Sequence, residues 1–142
     1  NPSQAIEMQR QCIDSGNAYN KFEEMVFNQG GYIGKTNELN EPLFSKKVIS
    51  KRNGFIKSFD TTALGWAAVQ MGCGRINKND NLDNTAGIAF NAKVGDQVNK
   101  GDSIMKCFGS DEEKLNQTYS QLKETFQITE EKVEPLAMIY RD

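Results

Sequence analysis

Apolar residues recur at helical spacing near the start of the chain, alternate through its middle, and then fall in short runs separated by glycine and aspartate. Ala5, Met8, Cys12 and Ser15 share one face of a predicted first helix, with Ser3 placed to cap it. Asp14-Ser15-Gly16-Asn17 breaks that helix. A second follows, with Ala18, Tyr19, Phe22, Met25 and Val26 on one stripe, and it stops at Gly30-Gly31, because a left-handed terminal residue costs glycine nothing. Two short amphipathic helices cannot close a core between them. Residues 1–31 therefore read as the last hairpin of a larger helical region.

Residues 32–53 are polar and rich in turn formers, and read as a linker carrying one short strand, Leu43–Ile49. Gly54–Phe59 is a second strand, with Phe55, Lys57 and Phe59 on one side and Ile56 on the other. Asp60 caps a helix over Thr61–Met71 whose Ala63, Leu64, Ala67, Ala68 and Met71 make a small-residue face for close packing on a sheet. Trp66 in that helix reads as a core residue. After a loop at 73–84 come strands at Ala86–Phe90 and Ile104–Phe108, with the turns Val94-Gly95-Asp96 and Asn99-Lys100-Gly101-Asp102 around Val98 between them. Ser110 with Glu113 forms a capping box for a helix striped by Leu115, Tyr119, Leu122 and Phe126. Leu136–Tyr140 reads as a closing strand. The order predicts an α+β domain over 54–142, with a mixed or antiparallel sheet and packed helices.

Length and composition narrow the chemistry. A unit of 142 residues buries roughly 68–70% of its unfolded surface, enough for a core without staples. Seventeen basic against nineteen acidic residues give a net charge of −2, which offers no field for nucleic acid or an anionic membrane. No apolar run is long enough to span a bilayer. Cys12, Cys73 and Cys107 are too few and too scattered for a disulfide framework or a CxxC site, and read as small core residues in a reducing, cytoplasmic setting. There is no histidine. That removes Ser-His-Asp and Cys-His catalysis and His-ligated zinc together.

Three local motifs invite functional readings. Gly72-Cys73-Gly74-Arg75 has the glycines of a phosphate loop, but they follow a helix instead of preceding one, so they read as a helix stop. Asn77–Asp83 has the polar spacing of a calcium loop, yet its sixth and twelfth positions hold Leu82 and Ile88, where glycine and glutamate are required. Val94–Asp102 resembles the hammerhead turn of biotinyl and lipoyl carrier domains. A carrier also presents a lysine on a separate hairpin, and Asp83–Asn91 contains none. The basic cluster Lys46-Lys47…Lys51-Arg52 reads as a solvated strand edge protected from aggregation.

Taken as one string, Gly54-Phe55-Ile56, Asp60-Thr61-Thr62-Ala63-Leu64-Gly65, Met71-Gly72-Cys73-Gly74-Arg75, Asp83, Ala86-Gly87-Ile88 and Val94-Gly95-Asp96-Gln97-Val98 resemble the C-terminal domain of thymidine and pyrimidine-nucleoside phosphorylases. Ser15-Gly16-Asn17-Ala18, Lys21-Phe22 and Gln29-Gly30-Gly31 resemble that family's last helical hairpin, and Tyr140-Arg141 extends the likeness to the end. The resemblance implies a two-domain homodimeric enzyme that closes over a cleft and cleaves the nucleoside bond with inorganic phosphate as co-substrate. It implies no cofactor in this chain. It also implies that the catalytic and substrate-binding residues lie upstream, so none is assigned here. The expected partner is the remainder of such an enzyme, with Lys93 and Lys100 as candidates for a domain-closing face. The alternatives are a stand-alone biotinyl- or lipoyl-like binding module, or a regulatory domain that kept the fold and lost the chemistry.

Overall fold

Isoleucine, methionine and cysteine at Ile104, Met105 and Cys107 are wholly buried, and the strand that carries them organises the larger part of the molecule. The computed structural model describes residues 1–34 and 41–137. These fall into two compact units that divide ahead of Glu41.

The first unit is a helical hairpin, α1 (Pro2–Asp14) and α2 (Asn17–Asn28). The cap of α1 is Asn1, not Ser3: the Ser3 N–H donates to the Asn1 side chain at 3.1 Å. Pro2 explains the shift, since its fixed φ and missing N–H suit the first helical position and leave the cap to the residue before it. Gly16, at φ 77°, makes the break. At the end of α2, Gly30 sits at φ 80°, its N–H donates to Phe27 O, and the Gly31 N–H donates to Val26 O. That pair of bonds is a Schellman motif, which satisfies carbonyls the helix end would leave bare. No residue of either helix is buried. Cys12 is exposed, contrary to its expected core role.

The second unit contains β1 (Phe44–Ile49), β2 (Gly54–Phe59), α3 (Thr61–Ala68), a π-helical turn (Val69–Cys73), β3 (Gly87–Phe90), β4 (Gln97–Val98), β5 (Ser103–Gly109), α4 (Glu112–Leu122) and β6 (Phe126–Thr129). Two three-stranded sheets run in the orders β1-β5-β3 and β4-β2-β6. Every pairing among the described residues is antiparallel, which resolves the sheet expectation. The strand predicted in the linker is β1, and it pairs along β5 from Phe44↔Gly109 to Ile49↔Ser103. Gly87 lies opposite Phe108, and a Cβ there would come 2.8 Å from the tip of the ring, so a larger residue would make the Phe108 side chain shift. Among the described residues no helix is long and apolar enough to cross a membrane.

The predicted face of α3 is the buried one: Leu64, Ala67 and Met71 join the core. Trp66 does not, and 62% of it is exposed. Two residues on from Leu64, it stands about 200° around the helix, on the opposite side. Cys73 is exposed as well, at the end of the π turn, whereas Cys107 alone fits the core reading.

The cap of α4 is Asp111, whose carboxylate accepts from the Lys114 N–H at 3.0 Å. Ser110, predicted for that role, has its own N–H bound to the Asp83 carboxylate at 2.7 Å, and aspartate caps as well as serine. The helix ends at Leu122, where the buried Thr125 hydroxyl donates to Leu122 O at 2.8 Å. Phe126 therefore leaves the helical stripe and opens β6, a strand the helical periodicity concealed. Of the closing strand expected at Leu136–Tyr140, Leu136 and Ala137 are irregular and residues 138–140 lie outside the described residues.

Candidate functional site

The hammerhead region is built from two turns of the same chemistry. In the first, the Asp96 carboxylate accepts from the Lys93 N–H at 2.8 Å while the Asp96 N–H donates to Lys93 O. In the second, the Asp102 carboxylate accepts from the Asn99 N–H at 2.7 Å and the Asp102 N–H returns to Asn99 O. An aspartate that bonds backward to a backbone amide closes such turns locally, and the glycine before it supplies the positive φ, 94° at Gly95 and 96° at Gly101.

Both turns are then tied to the fold. The Gly95 N–H donates to Ile56 O and the Ile56 N–H to Asp96 O. The Ser50 N–H donates to Asp102 O, the Gly101 N–H to Ser50 O, and the Lys100 N–H to the Asn53 side chain. Lys93 and Lys100 thus have fixed backbones and exposed side chains. Lys93 opens the first turn, Lys100 is the second residue of the other, and they do not share a cavity: the shallow groove of about 470 Å³ between the turns is lined by Asn91, Ala92, Asp96, Gln97, Val98, Asp102 and Ser103. Its two carboxylates make it a poor anion site.

A carrier lysine is not found here. Lys106, next along the sequence, lies in the middle of β5 between Lys47 on β1 and Ala89 on β3. A modifying enzyme needs a lysine at a hairpin tip, and a central strand cannot offer one.

A second constellation involves Asp83, to which the sequence alone assigns no role. Its carboxylate accepts from the Thr85 N–H at 2.9 Å, the Thr85 hydroxyl at 2.6 Å and the Ser110 N–H at 2.7 Å. Its own N–H donates to Gly72 O. Partial burial works to raise this carboxyl's pKa, but the bonds from Ser110 and Thr85 outweigh it and hold the group well below the usual carboxylate range. Asp83 therefore joins the end of the π turn, the entry to β3 and the start of α4 in one charged knot. The Asp-x-Thr spacing was the available signal, since both residues favour local turn bonds.

The helix-stop reading of Gly72 fits: it sits at φ 110°, where a Cβ would come 3.0 Å from Asp83 Cβ. The calcium-loop alternative does not fit, because the Asp80 carboxylate accepts from the Ile76 and Asn77 N–H groups of its own loop. Among the described residues no group of His, Cys, Asp or Glu is arranged to hold a metal ion. Partial covering of the otherwise exposed Cys73 thiol, assisted by Asp83, pushes its pKa up, and burial does the same to Cys107, so neither is an activated nucleophile.

The family described as "Pyrimidine nucleoside phosphorylase C-terminal domain" matches residues 55–129, from the start of β2 to the end of β6. The chain belongs to this family. Its relatives include a pyrimidine-nucleoside phosphorylase of Staphylococcus aureus (strain bovine RF122 / ET3-1), 29% identical over 128 residues, an alignment covering 88% of this chain and 29% of the relative. A thymidine phosphorylase of Metamycoplasma hominis is 33% identical over 110 residues, covering 75% of this chain and 40% of that protein. The chain thus spans well under half the length of the relatives it matches. The family match begins after β1, although β1 completes the sheet around β5, so the folded unit reaches further upstream than the matched segment.

Proposed function

We propose that this chain is the C-terminal part of a pyrimidine-nucleoside or thymidine phosphorylase. The parent cleaves thymidine with inorganic phosphate to thymine and 2-deoxyribose 1-phosphate, as a pentosyltransferase of nucleotide salvage. The observation that carries this reading is the family match over residues 55–129, together with an alignment to a phosphorylase that takes in 88% of the chain. The parent is a cytoplasmic homodimer without a cofactor. The hairpin of residues 1–31 is the end of its helical domain, and the C-terminal domain, expected over 54–142, also takes in β1 (Phe44–Ile49) from the expected 32–53 linker.

This part of the enzyme shapes and closes the cleft and supplies none of its reactive groups. Phosphorolysis depends on placing phosphate and on neutralising charge as the base departs. Lys93, which opens the first turn, and Lys100, the second residue of the second, suit a closing face, because fixed backbones anchor exposed ammonium groups there. The apolar groove of the hairpin, lined by Ala5, Met8, Cys12, Ile13 and Ala18, is where further helices of the parent pack.

Thymidine phosphorolysis tests the reading. The polypeptide as its native source produces it releases thymine in the presence of phosphate, and the 142-residue chain alone does not. Thymine release by the 142-residue chain would overturn the division of labour, and none from the native polypeptide would overturn the activity itself. Replacing Lys93 and Lys100 by alanine in the native polypeptide raises KM or slows closure; unchanged kinetics and closure would end their assignment.

A further inference from the structure

Four cationic side chains from three separate stretches of sequence meet around one cleft that the phosphorylase reading does not use. The cleft, of about 510 Å³, is lined by Lys51, Arg52, Lys57 and Lys123. Ile49, half-exposed, and Phe126 also line it, Ile128 lies alongside with its side chain in the core, and Glu124 is the one carboxylate of the lining.

The placement of these cations is built by the fold. Lys57 is the extra residue of a β-bulge, since Ile56 faces Ile128 while Ser58 faces Gln127. A bulge re-aims the side chain it carries. Arg52 is fixed twice. Its N–H donates to the Ser50 hydroxyl, which donates in turn to Arg52 O at 2.5 Å. Its guanidinium donates to Ile128 O. Because the N–H and C=O of Ile56 are bound to Asp96 and Gly95, Ile56 and Ile128 form a non-hydrogen-bonded pair, and the polar groups of Ile128 point off the free edge of β6. Arg52 reaches them there with one donor and keeps the rest of its planar fork for another acceptor. The Lys123 ammonium rests 4.0 Å from the centre of the Tyr119 ring, and the Tyr119 hydroxyl donates to Lys47 O at 3.2 Å.

Among the described residues none of these four cations forms an ion pair. Four like charges held around a concavity repel one another and focus a positive potential into it, in a chain whose net charge is −2. We infer that this cleft binds a small phosphate monoester whose apolar body rests on Ile49 and Phe126. A dianion with three free oxygens answers an arginine fork and several ammonium groups together, whereas a monocarboxylate answers only one of them. The volume falls within the range of about 300–1,000 Å³ typical of small-molecule sites. A long polyanion such as nucleic acid would meet the acidic remainder of the surface outside the cleft.

The inference does not depend on the phosphorylase reading, because its readout is binding to this chain. Phenyl phosphate and inorganic phosphate are titrated into the 142-residue protein at low salt and followed by amide chemical shifts. Saturable changes are expected, confined to residues 49–52, 57 and 123–129, with phenyl phosphate bound roughly tenfold more tightly through its ring. Lys57→Gln combined with Lys123→Gln weakens phenyl phosphate binding by roughly tenfold or more. Both side chains are at least partly exposed, and an unchanged thermal midpoint verifies that the variant is folded. Lys78→Gln with Lys132→Gln, away from the cleft, leaves binding unchanged. Equal affinity for the two phosphates, shifts elsewhere, or indifference to Lys57 and Lys123 would overturn the assignment. So would a single-stranded oligonucleotide that occupies the cleft more tightly than phenyl phosphate.

Discussion

The helical hairpin and the α+β unit use the same local grammar and reach opposite results. In the hairpin, Asn1 caps α1, Gly16 turns the chain and Gly30 closes α2, yet no side chain of either helix is buried. In the α+β unit, Asp60 and Asp111 cap shorter helices, and thirteen of the described apolar residues, from both sheets, both helices, the π turn and the loop after β3, join in a core. Caps and turns decide where elements start and stop. They contribute about 1 kcal/mol each, whereas most helical stability in proteins comes from packing an apolar face. The hairpin has the first and lacks the second.

Truncation of one large side chain in each unit breaks the comparison most sharply. Ile104→Ala, at a site with no exposure, should cost about 3 kcal/mol of unfolding free energy by lost transfer and by the cavity left behind. Phe22→Ala, at a side chain 51% exposed on α2, should cost below about 0.5 kcal/mol. Urea unfolding of both variants measures the difference. Equal losses would mean that the hairpin shares the cooperative unit.

Glycine sharpens the same contrast at the backbone. Gly16 and Gly72 both adopt positive φ, 77° and 110°. A methyl group on Gly16 meets nothing within 4 Å, while one on Gly72 comes 3.0 Å from Asp83 Cβ. Gly16→Ala should cost only the left-handed conformation, about 1 kcal/mol. Gly72→Ala adds the clash and should cost about 2–3 kcal/mol. Thermal unfolding ranks the two, and a larger loss at Gly16 would refute the packing argument.

Asp83 extends the comparison to charge. In α2, Glu24 has only Lys21 at 2.7 Å, an exposed i,i+3 pair worth little. Asp83 has three donors, and Asp83→Asn should cost about 1–3 kcal/mol at neutral pH by leaving them poorly matched. Its folded-state pKa lies below the unfolded value, so the unfolded chain binds more protons. The stability it contributes is complete above about pH 4 and is lost as pH falls from there toward the folded value. The gap between wild type and Asp83→Asn should therefore narrow in acid. A gap that widened below pH 4 would contradict the assignment.

How far the sequence was legible follows from the range of each signal. The hammerhead turns were readable because an aspartate, a glycine and a backbone amide three residues back complete them locally. The helix face of Leu64, Ala67 and Met71 was readable from spacing. Phe126 reads as helical because it continues the Leu115, Leu122 period, and only the need of β2 for a partner on its free side makes it a strand. Trp66 was misread from its size, although its position two residues from Leu64 already placed it on the outer face. The basic cleft was out of reach: Lys51 and Arg52 looked like edge protection, and Lys57 and Lys123 join them only through a bulge and the docking of α4.

A contrast of opposite sign lies inside the core and concerns two threonines. Thr118 and Thr125 are both buried, at 1% and 3% exposure. The Thr125 hydroxyl donates to Leu122 O at 2.8 Å, while the Thr118 hydroxyl has no hydrogen-bond partner among the described residues. Valine has nearly the shape of threonine without the polar atom, so the same substitution should act with opposite sign at the two sites. Thr125→Val loses a bond at the end of α4 and should cost about 1 kcal/mol. Thr118→Val removes the burial penalty of an unbonded hydroxyl and should stabilise by about 1 kcal/mol. Thermal midpoints that move apart support this reading. A fall at Thr118→Val would mean that its hydroxyl finds an acceptor in the folded protein, leaving no buried side-chain N or O among the described residues without a partner.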